Sequence, residues 1–220
     1  MIPLGVIAQR RAAVAPTVKG SPTTVIDPTR TSSINVAVPA GGAAGDVYLL
    51  VVAVYGNDGT VTTATGFTLL ADTGRITSGG STDYRGTVLA RAYTGSEGAN
   101  FSLAVNSGYT YAACFLVSGA DISGTNLANL VNASATAVTS SSATPAVTTT
   151  VANTLAVTGF VGGDQVATSV PSGWTGLVNL DGGYFHVAHK TQPTAGSTGT
   201  ATWGGTVHAS PRFTIALAPA

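Results

Sequence analysis

Three histidines, His186, His189 and His208, are the first residues to test for metal ligation or proton transfer. Zinc needs neutral imidazoles converging with a third ligand. His186 and His189 stand three apart, so on a strand they face opposite sides and cannot hold one ion together. Structural or surface duty is the expectation for all three. One glutamate, Glu97, and eight scattered aspartates leave no carboxylate pair for hydrolysis. Asp72 and Asp181 follow apolar runs, where turn formation is the usual task. Gly79-Gly80 and Gly182-Gly183 read as hairpin turns, and no phosphate-loop lysine accompanies them. The nucleophile-elbow spacing Gly-x-Ser-x-Gly does not occur. Cys114 is the only cysteine, so no internal disulfide forms. It lies in the apolar run Tyr111 to Val117 without a cation beside it, which predicts a buried, inert thiol. The expectation is a protein that is not an enzyme and carries no cofactor.

Two oxygen-rich stretches, Asn57-Asp58-Gly59 and Gly163-Asp164-Gln165, follow long apolar runs and have ligands suited to calcium. Turn formation accounts for both, so no metal is expected. Among aromatics, Phe67 and Trp174 occupy equivalent places in a repeat described below and read as core. Trp203, Tyr184, Tyr109 and Tyr111 fall near loops or strand ends. They are the expected contacts for a glycan or a protein partner, because an aromatic face stacks on a sugar ring while its polar edge stays wet.

The elements that position these residues follow from composition. Charged residues are 8% of the chain, against about 25% in ordinary domains, while hydrophobic residues are 44%. The apolar runs are short and punctuated by Gly, Asn, Asp and Pro, which is an all-β pattern. Zero net charge disfavours nucleic acid and anionic membrane surfaces. The stretch from Gly45 to Asn57 is the most apolar. Val47, Leu49, Val51 and Ala53 alternate with Tyr48, Leu50, Val52 and Val54, so both faces of a strand are apolar and both need cover. It is too short to cross a membrane. A second sheet covers one face; a partner subunit or the N-terminal segment is expected to cover the other. Its later counterpart, Thr154 to Val161, alternates better and is expected to be more exposed.

About a dozen strands are predicted: 32–39, 46–55, 66–72, 84–93, 100–105, 110–117, 143–151, 153–161, 174–180, 184–191, 199–203 and 212–217. Only Thr125 to Val131 offers a helical turn. The strands repeat. Residues 107 apart place Asp46 on Asn153, Val54 on Val161 and Phe67 on Trp174. A shorter later loop brings Ala90-Arg91 onto Ala188-His189, and an offset of 100 brings Leu103 onto Trp203 and Phe115 onto Ile215. The fold class predicted is an antiparallel β-sandwich, jelly-roll-like, built from two related halves, 32–121 and 140–220. Residues 1–31, broken by Pro3, Pro16, Pro22 and Pro28, read as an extended docking arm. Its apolar Ile2, Leu4, Val6 and Ile7 and basic Arg10 and Arg11 would dock on a neighbouring subunit's sheet edge. Charges after, not before, the apolar run do not make a secretory signal.

The opening Ile2-Pro3-Leu4-Gly5-Val6-Ile7-Ala8 resembles the start of minor tail proteins of long-tailed actinobacterial phages. So do Ala44 to Leu50, Gly66 to Asp72, Thr144 to Thr148, Ser172 to Thr175, Thr191 to Gly199 and the ending Thr214 to Ala220. The resemblance implies an oligomeric virion component; synthesis in the host cytoplasm, other virion proteins as partners and a host cell-surface glycan contacted through the exposed aromatics are the expectations that accompany it. It supplies no catalytic residues. A capsid decoration or head-fibre protein and a carbohydrate-binding module are the alternatives the same features allow.

Overall fold

The structure, a computed structural model, describes residues 13–56, 61–78, 82–106, 108–139, 141–161, 169–205 and 210–220, with backbone alone at 76–78, 82, 83 and 161. The described residues form strands, turns and loops, and every strand pairing is antiparallel. The first half contains β1 (Thr17–Asp27), β2 (Ser33–Ala37), β3 (Val47–Tyr55), β4 (Thr68–Asp72), β5 (Ile76–Ser78), β6 (Thr82–Ala92), β7 (Asn100–Ala104) and β8 (Tyr109–Ser118). The second contains β9 (Val131–Thr139), β10 (Ala143–Thr144), β11 (Thr148–Thr149), β12 (Thr154–Val161), β13 (Thr175–Leu180), β14 (Phe185–Gln192), β15 (Gly196–Ser197), β16 (Ala201–Thr202) and β17 (Ser210–Leu217).

The two halves share one plan. The first sheet runs β1-β8-β3-β6-β4, with β5 also on β6; the second runs β9-β17-β12-β14-β13. Outside the first sheet lies the β2–β7 pair, and the second half has the short pairs β10–β16 and β11–β15. Pairing is nested: in the first half the first strand meets the last, the second meets the next to last, and β3 meets β6. The second half repeats this with β9–β17, β10–β16 and β12–β14.

Side-chain alternation then builds layers. Val47, Leu49, Val51 and Ala53 point toward the second sheet and share one core with Leu155, Val157, Phe185, Val187 and Ile215. Tyr48, Leu50, Val52 and Val54 point the other way and pack on Ile34, Val36, Phe101 and Leu103 of the β2–β7 pair. Phe160, Ala188 and Trp203 form the outer core of the second half. Each residue from Val47 to Val54 is at most 1% exposed. Full cover on both faces is therefore as expected, but its source is corrected: the chain's own second half and its own β2–β7 pair supply it. The counterpart Thr154 to Phe160 is likewise buried, not more exposed. Thr154 and Thr158 sit in the outer layer as buried hydroxyls.

The arm expected over 1–31 is also corrected. Thr17–Asp27 is the edge strand of the first sheet, paired along β8. Gly20-Ser21-Pro22, which reads as a breaker, fits where the register shifts between Lys19 and Thr23. Proline is tolerated on an edge and at a bulge, where no ladder hydrogen bond is lost. Its second-half equivalent, β9, was also missed. Thr125 to Val131 makes turns, not a helix: Asn126 Oδ1 accepts from the Ala128 amide (2.9 Å). Ile2, Leu4, Val6, Ile7, Arg10 and Arg11 lie outside the described residues.

Pairing fixes the repeat register. Val51 faces Val88 and Ala113 across the first sheet, as Gly159 faces Val187 and Phe213 across the second. Equivalent residues of the long strands therefore stand 108 apart (51 to 159), not 107. A one-residue slip exchanges the faces of a strand, so Arg91 corresponds to Lys190 and not to His189. Phe67 with Trp174 and Phe115 with Ile215 keep their layers. The Val51–Ala113 pair becomes Gly159–Phe213, large and small exchanged between strands. A Cβ on Gly159 would overlap the Phe213 ring, so the ring lies over bare backbone. Gly159→Ala is expected to destabilise by about 1–3 kcal/mol, since overpacking forces side chains off their rotamers. An unchanged urea midpoint would show that the ring lies elsewhere.

Candidate functional site

Tyr84, Tyr55 and Tyr109 face one another in register across β6, β3 and β8, at the end where β3 leaves the first sheet. The Tyr55 and Tyr84 rings are 4.8 Å apart between centroids. Tyr111, two residues along β8 from Tyr109 and on the same side, brings its ring to 5.2 Å from Tyr109 and stacks on Phe185 of the second sheet at 6.0 Å. The β13–β14 connection closes the group. Asp181 and Gly182 both have positive φ, 53° and 66°, the backbone that an Asp-Gly turn supplies in a tight hairpin. The Gly183 amide donates to Leu180 C=O (3.1 Å) across that turn. This aims the Asp181 carboxylate back at the first half: Tyr111 Oη donates to Oδ2 at 2.8 Å, and Tyr109 Oη reaches it at 3.5 Å.

Three of the four expected contact residues, Tyr184, Tyr109 and Tyr111, thus gather at one end of the inter-sheet core. Tyr55, Tyr109 and Tyr184 are half-buried, Asp181 is exposed, and Tyr111 is 5% exposed. Burial and then the Asp181 carboxylate push the Tyr111 hydroxyl well above the ordinary phenol range, so it stays protonated. A phenol held in that state donates hydrogen bonds and does not act as a base. The surface offers ring edges and one carboxylate, a composition suited to hydroxyl-rich or polypeptide partners.

Trp203 is corrected. It is 1% exposed. It packs against Phe160 (6.4 Å) and His186 (5.1 Å), and the Arg212 guanidinium covers Phe160 at 5.1 Å. No sugar reaches its ring in this arrangement. His186 pairs with Phe160 and His189 with Val157, which puts them on opposite faces as their spacing requires. Burial lowers the His189 pKa. Cys114 is fully buried in the core against β2–β7, and burial pushes its thiol pKa up. His208, Asn57-Asp58-Gly59 and Gly163-Asp164-Gln165 lie outside the described residues. Among the described residues, no three His, Cys, Asp or Glu side chains gather as a metal site. Sequence reasoning passed over Tyr55 and Tyr84, which the strand registers bring into the row, and Arg91, discussed below. The Asp181-Gly182 dipeptide was the available signal for the turn, but nothing local showed which tyrosine it would meet.

No protein-family model, curated protein or solved structure matches this chain.

Trp203→Ala is expected to cost about 3–5 kcal/mol of stability, as for a large core aromatic. Tyr111→Phe is expected to cost about 1 kcal/mol, because it leaves Asp181 in contact with water. Urea unfolding of the two variants checks this; a Trp203→Ala protein as stable as the parent would contradict the burial of that ring.

Proposed function

We propose that this chain is a structural protein of a phage virion, of the minor tail class, joined to the particle through its N-terminal segment and presenting the tyrosine-rich end to the host envelope or to a neighbouring protein. The observation that carries this reading is the nested strand pairing, made once in each half. Nested antiparallel pairing is the winding of a jelly roll, an architecture used in viral coats and lectins. The resemblance of Ile2 to Ala8, Ala44 to Leu50 and the chain's ending to minor tail proteins points the same way. The tyrosine end supplies a contact surface without a reactive group. The partners of this proposal are other virion proteins and a host glycan. The apolar β3 no longer argues for homo-oligomers, because its cover is intramolecular.

Gold-labelled antibody on intact particles tests the reading. Label on the tail is the expected result; label on the head would favour capsid decoration, and unlabelled particles would overturn both. A second test removes residues 1–12 only, since a longer deletion would take β1 from the first sheet. The shortened protein is expected to keep its melting temperature and to be lost from particles. Normal incorporation would overturn the role given to the arm.

A further inference from the structure

Arg91 stands at the opposite end of β3 from the tyrosines, beside Tyr48 in register. Tyr48 and Tyr55 are seven positions apart, roughly 24 Å at the rise of an antiparallel strand. The Arg91 guanidinium lies over Phe101 (5.5 Å) and Phe67 (6.0 Å). No carboxylate among the described residues pairs with it. Glu97, the nearest in sequence, is engaged by the Thr94 amide (2.6 Å), the Thr94 hydroxyl (2.7 Å) and the Gly95 amide (3.0 Å).

Two surface clefts meet at this side chain. One, of about 300 Å³, has Phe67 and Phe101 in its wall and carries Thr65, Asn100 and Ser102. The other, of about 260 Å³, carries Thr94 and Thr125. Ser102 Oγ donates to Asn35 Oδ1 (2.5 Å), so this exposed hydroxyl has only acceptor capacity left to offer. Thr65 and Asn100 are exposed.

The repeat provides an internal comparison. Lys190 is the second-half equivalent of Arg91: it pairs with Ala156 as Arg91 pairs with Tyr48. It too lies over the repeat's aromatic residue, Trp174, at 4.7 Å. But Lys190 Nζ donates to the Thr198 carbonyl (2.5 Å), so its charge has an acceptor within the chain. A cation over the Gly-aromatic-Thr strand is thus part of the shared plan, while a guanidinium beside a cleft, without a carboxylate partner among the described residues, belongs to the first half. Guanidinium stacked on rings is pre-oriented, weakly hydrated and matched to two-oxygen anions.

We infer that the Arg91 cleft is a binding site for an acidic saccharide or polyol, its anion on Arg91 and its hydroxyls on Thr65, Asn100 and Ser102. The volume is at the lower end for small-molecule sites, which suits about one sugar ring. The shared chemistry, a two-oxygen anion flanked by hydroxyls, comes either from a uronic acid or from a phosphate-linked polyol. The inference concerns the isolated protein and does not depend on where the chain sits in a particle.

Calorimetric titration of the full chain tests it, with an oligouronate, a glycerol-phosphate oligomer and a neutral oligosaccharide as the probes. At least one acidic probe is expected to bind at least tenfold more tightly than the neutral one, and to weaken as salt rises. Which acidic probe binds identifies the source. Arg91→Gln is expected to weaken that binding at least tenfold and Asn100→Ala severalfold, while Lys190→Gln leaves it unchanged. Arg91→Lys, which keeps the charge over the rings should the glutamine variant misfold, is expected to bind severalfold more weakly for want of the fork. Failure of both acidic probes, equal binding of the neutral probe, or binding untouched by Arg91→Lys and Asn100→Ala would overturn the inference.

Discussion

The whole arrangement depends on burying both sides of one ribbon. A strand with apolar residues at every position costs free energy wherever a face meets water, at about 25 cal/mol per Å² of apolar surface. The chain meets this by stacking layers: the β2–β7 pair, the first sheet, the second sheet, then the short β10–β16 and β11–β15 pairs. The central interface is where the halves need each other. Phe115 and Leu49 of one half share a core with Val157 and Ile215 of the other, so neither half can be removed without wetting the partner's inner face.

The halves keep one plan but fill their outer layers differently. In the first, β2 and β7 are five-residue strands whose alternate residues are aliphatic or aromatic, and the outer core is apolar. In the second, the equivalent pairs are two-residue strands with little apolar area. Hydrogen bonding takes over there. The Thr158 hydroxyl lies 2.7 Å from that of Thr144 and 3.0 Å from that of Thr214. Arg212, where the first half has Ala112, is fully buried. Burial lowers its pKa to about 10, so it stays charged at neutral pH. The charge is met by the Ala143 carbonyl (3.0 Å), the Ser210 hydroxyl (3.3 Å) and the Phe160 ring. Only the two terminal nitrogens are so met; Nε has no partner among the described residues. Trp203, which the sequence places near a strand end, is sealed against Phe160 and His186 in the same layer.

Central strands were legible because burial dictates composition: β3, β8, β12 and β17 carry apolar runs that little else explains, and β6 and β14 mix apolar with polar residues between turn signals. The edge strands β1 and β9 were not. An edge strand pairs on one side and faces water along much of its length, so its sequence need not be apolar. Thr17–Asp27 contains Gly, Ser and Pro, and Val131–Thr139 alternates Ala or Val with Asn, Ser and Thr. Both omissions fall on the same strand of the repeat, and both half boundaries were therefore set too late. The repeat alignment failed by one residue for a related reason. With both sets of β3 side chains apolar, nothing in the residue types distinguishes one face from the other; pairing partners do. The same ambiguity hid the correspondence of Arg91 with Lys190.

The outward side chains of β2 and β7 are exposed and are polar or alanine: Ser33, Asn35, Ala37, Asn100, Ser102 and Ala104. Among the described residues, three of the six exposed large apolar side chains, Ile26 on β1, Leu69 on β4 and Val138 on β9, lie on outermost strands, while Val14, Val151 and Val170 lie outside the strands. Unpaired edges invite further strands, and this fold limits the invitation. β1 is kinked at Gly20-Ser21-Pro22 and pinned by the Lys19–Asp46 ion pair (2.8 Å) at the start of β3. Asp27 ends β1 in a local knot with Thr29 and Thr31. Burial alone would raise its pKa, but the hydrogen bonds from those residues outweigh it and hold it at about 2. That contribution is present above the ordinary carboxylate pKa and is lost only as pH falls from near 4 through 2. One end of this edge strand is therefore tied across to the start of β3, and the other is closed by a local hydrogen-bonded turn.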